Sequence, residues 1–141
     1  MTRCVFCDIT DSERNHILRD SAYTILMMAN QRKVPGQLLV IPKRHVERFS
    51  EINKAEWNEI FEVIADAEKR LVSYYRAGCE VAQRYKPYLK EDAFAVSHLH
   101  FHIMPRREDD ILERTRVEEH KMHSAVTVQE VKELTDIFEI V

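Results

Sequence analysis

His98-Leu99-His100-Phe101-His102-Ile103-Met104-Pro105-Arg106, or HLHFHIMPR, sets three of the chain's seven histidines into five residues. Side chains alternate faces along an extended strand, so His98, His100 and His102 share one face while Leu99, Phe101 and Ile103 share the other. Next-but-one residues stand roughly 6.6 Å apart at ~3.3 Å rise each. The apolar face needs a cover, for which a helix is expected, and the other face then presents imidazoles to a cleft. A half-buried strand with one histidine on its polar face would call for no explanation. Three in strict register, with no Thr, Lys or Glu among them, do.

Working outward, the row lies in a strand expected over 96–104. Segments 16–19, 23–28 and 37–41 read as earlier strands, the last stopped by Pro42, and 79–84 as a fourth. Asn53-x-x-Glu56 has the form of a capping box. After it Trp57, Ile60, Phe61, Ile64, Ala67, Leu71 and Tyr74 or Tyr75 recur at helical spacing, predicting a long helix with one apolar face. Thr127-x-x-Glu130 opens a C-terminal helix with Val131, Leu134 and Phe138 at its apolar positions. Five strands and a long helix across them make a single α+β layer pair.

The 141 residues suit one domain rather than two, and 45% hydrophobic with 32% charged residues is a globular balance. A net charge of −3 gives no whole-molecule attraction to nucleic acid or to an anionic membrane. No apolar run approaches a membrane span, and Met1-Thr2-Arg3-Cys4 lacks the hydrophobic stretch of a secretory signal. Three cysteines, two of them in Cys4-x-x-Cys7, fit a reducing compartment, so a cytoplasmic protein is expected. With only two glycines, Gly36 and Gly78, glycine-rich phosphate loops are excluded.

Imidazoles in a row beside a C-x-x-C pair point first to a metal. Two thiolates on tetrahedral zinc need two further ligands. His45, just past the Pro42 break, is placed to be one, and one member of the histidine row can be the other. Row neighbours are too far apart on a flat strand to share one ion comfortably, which leaves two histidines for other work. A closed Cys2His2 site of this kind is structural, with no open position for chemistry. His120-x-x-His123 has helical metal spacing but no further ligands and reads as surface; Cys79 reads as a core thiol.

HLHFHIMPR resembles the histidine triad motif, His-φ-His-φ-His-φ-φ. Gly36-Gln37-Leu38-Leu39-Val40-Ile41-Pro42-Lys43-Arg44-His45 is similar to the same superfamily's Gly-His-x-Leu-Val-Ile-Pro-Lys-x-His segment. Cys4-x-x-Cys7 is similar to the pair found in its zinc-containing bacterial and archaeal members. The resemblance implies a single HIT-like domain over 1–141, with a core at about 4–106 and a C-terminal helical extension at about 107–141. It implies an antiparallel sheet of about five strands under a long helix, and a homodimer. It also implies a nucleotidyl hydrolase or transferase acting on a phosphoanhydride, phosphoester or phosphoramide. In that pattern His100 attacks the α-phosphate to form a nucleotidyl-histidine, and His102 contacts a phosphate oxygen. His98 completes one structural zinc per chain with Cys4, Cys7 and His45. An imidazole is suited to the attack because it is largely neutral near pH 7, and a protonated His102 would stabilise developing charge.

The chain departs from the pattern around the substrate, as a divergent branch would. Where the family has an acid for the ribose hydroxyls, Met28-Ala29-Asn30-Gln31 offers Asn30, either a diol-binding residue or an exposed turn residue. Gly-His has become Gly36-Gln37, and the amide and hydroxyl residues before the triad are replaced by 83–90, QRYKPYLK. There Gln83, Arg84 or Lys86 is expected to meet phosphate, with Tyr85 or Tyr88 stacking on a base, unless the loop is a charged surface turn. Two other functions stand beside the enzyme: a catalytically silent nucleotide-binding or scaffolding module, and a zinc-binding regulatory protein whose whole histidine row serves metal.

Overall fold

The computed structural model describes residues 4–90, 95–115 and 122–139. A single-turn helix α1 (Asp11–Arg14) precedes three strands, β1 (Ile17–Asp20), β2 (Thr24–Met28) and β3 (Leu38–Pro42). The long α2 (Lys54–Tyr75) then leads to β4 (Gly78–Gln83) and β5 (Phe101–Arg106), and two further helices follow, α3 (Ile111–Arg114) and α4 (Val128–Glu139). The five strands form one sheet in the order β1-β2-β3-β5-β4, with every neighbouring pair antiparallel. This is the α+β architecture expected from the sequence, completed by a C-terminal helix. No described helix is long and apolar enough to cross a membrane.

The α2 capping box forms as the sequence implies. Asn53 Oδ1 accepts the Glu56 N–H at 2.9 Å, and the Glu56 carboxylate accepts the Asn53 N–H. Glu56 is buried and also receives Arg44 Nε at 2.8 Å. That ion pair ties the loop after β3 to the start of α2 and holds its carboxyl below the usual range.

The face of α2 turned to the sheet differs in part from the expected one. Ile60, Val63 and Ala67 are buried, with Ile64 and Leu71 packed at the edge, whereas Trp57 and Phe61 are exposed. Phe49 reaches Trp57 and Phe101 edge-on, at 5.5 Å between ring centroids in each case. Helical spacing alone gave a stripe wider than the sheet can cover. On α4, Val131, Leu134 and Phe138 are all exposed.

Leu99, Phe101 and Ile103 join Leu26, Leu38, Val40, Val46, Ile60, Val63 and Ala67 in one core beneath α2. A smaller core on the opposite sheet face gathers Met27, Leu39 and Ile41 with Phe6, Ile9, Ile17, Ile25 and Ala29. The alternation of the HLHFHI stretch is therefore real, but its strand is shorter than the sequence suggested. Pairing with β3 begins at Val40↔Phe101, so His98 and His100 precede β5 and only His102 lies within it. The cause is the break at Pro42. Beyond it the Leu99 N–H donates to the Val46 carbonyl at 2.6 Å instead of continuing the ladder, and 98–100 follows the loop after β3.

Leu99 is 1% exposed, and Leu99→Ala should destabilise the protein by about 3 kcal/mol through lost burial and the cavity left behind. Urea unfolding measures this; a loss under ~1 kcal/mol would contradict the packing of the row beneath α2.

Candidate functional site

Peeling residues 98–100 away from the sheet brings His98 to the N-terminal segment. Cys7 and Asp8 N–H groups both donate to the Cys4 carbonyl, at 3.2 and 3.1 Å, and this turn gathers the two thiols. Cys4 Sγ is 3.3 Å from His98 Nδ1, while Cys7 Sγ is 3.6 Å from the same nitrogen and 3.3 Å from His45 Nδ1. The four donor atoms lie within 4.8 Å of one another. Sulfur at ~2.3 Å and nitrogen at ~2.05 Å from a tetrahedral ion would stand about 3.6 Å apart. The group fits such an ion.

Its imidazoles are oriented for ligation. The His98 Nε2–H donates to the Pro42 carbonyl at 2.8 Å, so its Nδ1 lone pair faces the sulfurs. Behind His45, Glu47 Oε1 lies 3.8 Å from Nε2, a carboxylate backing a candidate ligand. Partial desolvation of its sulfur, followed by Cys4 and Asp8, pushes the Cys7 thiol up to about 11. A cation bound at the Cys7 sulfur offsets that penalty.

His100 and His102 stand outside this group, 4.9 Å apart between ring centroids. Phe6 packs edge-on against His98 and His100, at 5.8 and 5.1 Å between ring centroids. The His100 Nδ1–H donates to the His98 carbonyl at 2.7 Å, which leaves Nε2 with a free lone pair. Burial holds the ring below the ordinary histidine range.

His102 pairs with Leu39 across β3 and β5 and shares its sheet face. Two residues before Leu39, Gln37 lies on that face as well, almost fully buried. Its Nε2 is 3.0 Å from His102 Nδ1, and its Oε1 accepts the Lys33 N–H at 2.6 Å. Burial, then His100, Arg84 and Lys33, pulls the His102 imidazole down to about 4. The expected stabilisation of developing charge by His102 was conditional on its being protonated, and burial with the nearby cations opposes that form.

A cavity of about 300 Å³ is lined by His98, His100 and His102 together with Arg84, Tyr85, Lys86 and Glu47. Neither Asn30, on an exposed turn, nor Gln83, which pairs with Phe101 at the end of β4, is among its lining residues. Tyr88 also points elsewhere and is largely exposed, so of the two loop tyrosines only Tyr85 reaches the cavity. His123 is exposed and His120 lies outside the described residues. Cys79 is half-buried against the main core.

Sequence reasoning passed over Phe6 and Glu47 and took Gln37 only as a departure from Gly-His. Alternation from Leu39 back to Gln37 marks the sheet face of Gln37, but its partner depends on the β3–β5 register. Phe6 and Glu47 carry no local pattern.

The HIT domain pattern matches residues 10–109. The chain belongs to the HIT domain family. Within this HIT family, an uncharacterized HIT-like protein of Methanocaldococcus jannaschii is 27% identical over 108 residues, covering 76% of this chain and 81% of the relative. The solved histidine triad nucleotide-binding protein of Candida albicans superposes with a TM-score of 0.72 at 21% identity, over 97% of this chain and 95% of that one. Plasmodium falciparum diadenosine triphosphate hydrolase gives 0.60 at 17%, over 73% and 69%. At these identities the two structures show the HIT fold.

The His102 ring should stay neutral well below the ordinary histidine value of 6.5, with a ring-proton NMR titration midpoint near 4. Between those values the unfolded chain binds the extra proton. Stability contributed by the neutral ring is thus present above about pH 6.5 and lost as pH falls toward about 4. A midpoint near 6.5 would remove the neutral assignment.

Proposed function

We propose that this HIT domain is a nucleotidyl hydrolase or transferase that acts at the α-phosphate of a nucleotide derivative through His100. The observation that carries the reading is the hydrogen bond from His100 Nδ1–H to the His98 carbonyl, which leaves Nε2 unprotonated on a ring lining the cavity. Arg84 and Lys86 in the same cavity lining suit an anionic phosphate. The names of the Candida and Plasmodium proteins, nucleotide-binding and diadenosine triphosphate hydrolase, agree with that class of ligand.

His100 Nε2 attacks the α-phosphorus in line with the leaving group. A P–N bond forms as the bond from phosphorus to the leaving oxygen or nitrogen breaks, and the leaving atom departs with the electron pair and takes up a proton. Water then attacks the same phosphorus, gives up a proton and displaces the imidazole, which returns as the neutral base; another nucleophile in place of water makes the reaction a transfer. His102 serves as a hydrogen-bond donor to the phosphoryl oxygens. Cys4, Cys7, His45 and His98 hold one structural zinc, which pins the N-terminal segment and takes no part in bond making. Asn30 and Gln83 stand off the cavity wall and reach substrate only if it extends beyond the cavity. Residues 1–141 work as one domain, with 107–141 as a helical extension, in a cytoplasmic homodimer that binds neither membrane nor specific nucleic acid.

A silent binding module is favoured by one observation, the absence of Asn30 and Gln83 from the cavity lining. A row given wholly to metal is disfavoured, since His98 alone of the three belongs to the four-donor group.

Incubation with nucleoside phosphoramidates, dinucleoside polyphosphates and nucleotide sugars, with mass spectrometry of the protein, should trap a nucleotidylated chain in the wild type and none in His100→Ala. Turnover retained by His100→Ala would overturn the nucleophile assignment; the silent module predicts binding without turnover in the wild type.

Cys4→Ser should lower bound zinc from about one per chain, as a four-ligand site requires, and lower the thermal midpoint with it. Unchanged metal content would overturn the zinc proposal.

A further inference from the structure

Gln37 is 4% exposed, and both ends of its amide are engaged. The Lys33 N–H can only donate, so the atom 2.6 Å from it must be the amide oxygen. The other end, 3.0 Å from His102 Nδ1, is then the NH2 group, which can only donate in turn. His102 Nδ1 is therefore an acceptor, and the single proton of this neutral ring sits on Nε2. Next to it, His100 has the reverse arrangement, because its Nδ1 carries the proton given to the His98 carbonyl. Two rings 4.9 Å apart thus expose opposite polarity at Nε2, a lone pair on His100 and an N–H on His102.

We propose that Gln37 is a positioning residue that sets the His102 tautomer, so that this neutral ring presents Nε2–H to the substrate while His100 presents its lone pair. The assignment rests on the phosphorus-directed roles given above to the two rings. A donor is useful there because negative charge grows on the phosphoryl oxygens and on the leaving atom. An imidazolium would serve the same end, but burial opposes it at His102. A carboxamide avoids the conflict, since it donates without carrying charge. It also cannot turn over in place, because reversal would face NH2 to the Lys33 N–H and oxygen to a lone pair.

The backbone supports this orientation. Gly36 has φ of +82°, a conformation open to glycine, and a Cβ there would meet the Tyr75 ring at 2.5 Å. The turn so formed lets the Gln37 N–H donate to Val34 at 3.3 Å and folds its side chain back over the Lys33 amide. A neutral histidine, the residue of the resembled motif at this place, offers the same polarity: one nitrogen to accept from Lys33 and one N–H to donate to His102.

Two-bond proton–nitrogen correlation of the 15N-labelled full chain, with His102 assigned by difference against His102→Asn, reads the tautomer without any substrate. The expected spectrum has His102 Nδ1 unprotonated and Nε2 protonated, and the reverse in His100. Protonated Nδ1 in His102 overturns the proposal.

Kinetics on a nucleoside phosphoramidate and a dinucleoside polyphosphate form the second arm. Gln37→Leu should lower kcat about tenfold or more while KM stays within about threefold, and Gln37→His should restore kcat to within about threefold. An undiminished kcat in Gln37→Leu, or no rescue by histidine, overturns it. Wild-type protein that turns over none of the nucleoside phosphoramidates, dinucleoside polyphosphates and nucleotide sugars overturns the proposed function instead, and the ring spectrum alone then decides the tautomer.

Discussion

Leu99, Phe101 and Ile103 can reach the core beneath α2 only if the residues between them turn to the other side, and that exclusion organises the molecule. Fully burying a large aliphatic or aromatic side chain contributes about 1.5–3 kcal/mol. Three of them on one short segment outweigh any local preference of the intervening histidines. His98, His100 and His102 are thereby turned away from α2 and gathered near the N-terminal segment and the loop after β3. Chemistry at the site is a consequence of packing on the opposite face.

Packing sets the side, but backbone carbonyls and one amide set the chemistry. His98 gives its Nε2–H to Pro42 and keeps Nδ1 for the sulfurs; His100 gives its Nδ1–H to His98 and keeps Nε2. His102 accepts from Gln37. Three identical side chains at regular intervals thus present three different groups, an Nδ1 lone pair, an Nε2 lone pair and an Nε2–H, each fixed by a main-chain or amide partner. Burial lowers the proton affinity of all three, and their hydrogen-bond partners distinguish them by tautomer.

Much of this was legible in the residues. The alternation in HLHFHI, the capping box at Asn53 and Glu56 and the stop at Pro42 each express a local rule, and each reappears in the structure. Spacing pointed to Cys4, Cys7, His45 and one unspecified member of the row as donors, and it was the resemblance to the histidine triad family that named His98. What could not be read were contacts made across elements. Trp57 and Phe61 share helical spacing with Ile60 and Ala67, yet the sheet is too narrow to cover them. Asn30 and Gln83 were chosen by position along the chain, and the cavity passes them by. Gln37 read as the loss of a histidine, because its value depends on a register that no single strand contains.

The amino-acid order by itself determined which residue types alternate, where strands must stop and which donors can come within one turn of each other, since these follow from backbone geometry over a few residues. Only the tertiary structure decided that the ladder between β3 and β5 starts at Phe101, that Leu99 turns to Val46, and that an amide from β3's approach faces His102. Those outcomes come from hydrogen-bond partners 50 to 65 residues apart along the chain, whose pairing is settled by the packing of the whole sheet against α2.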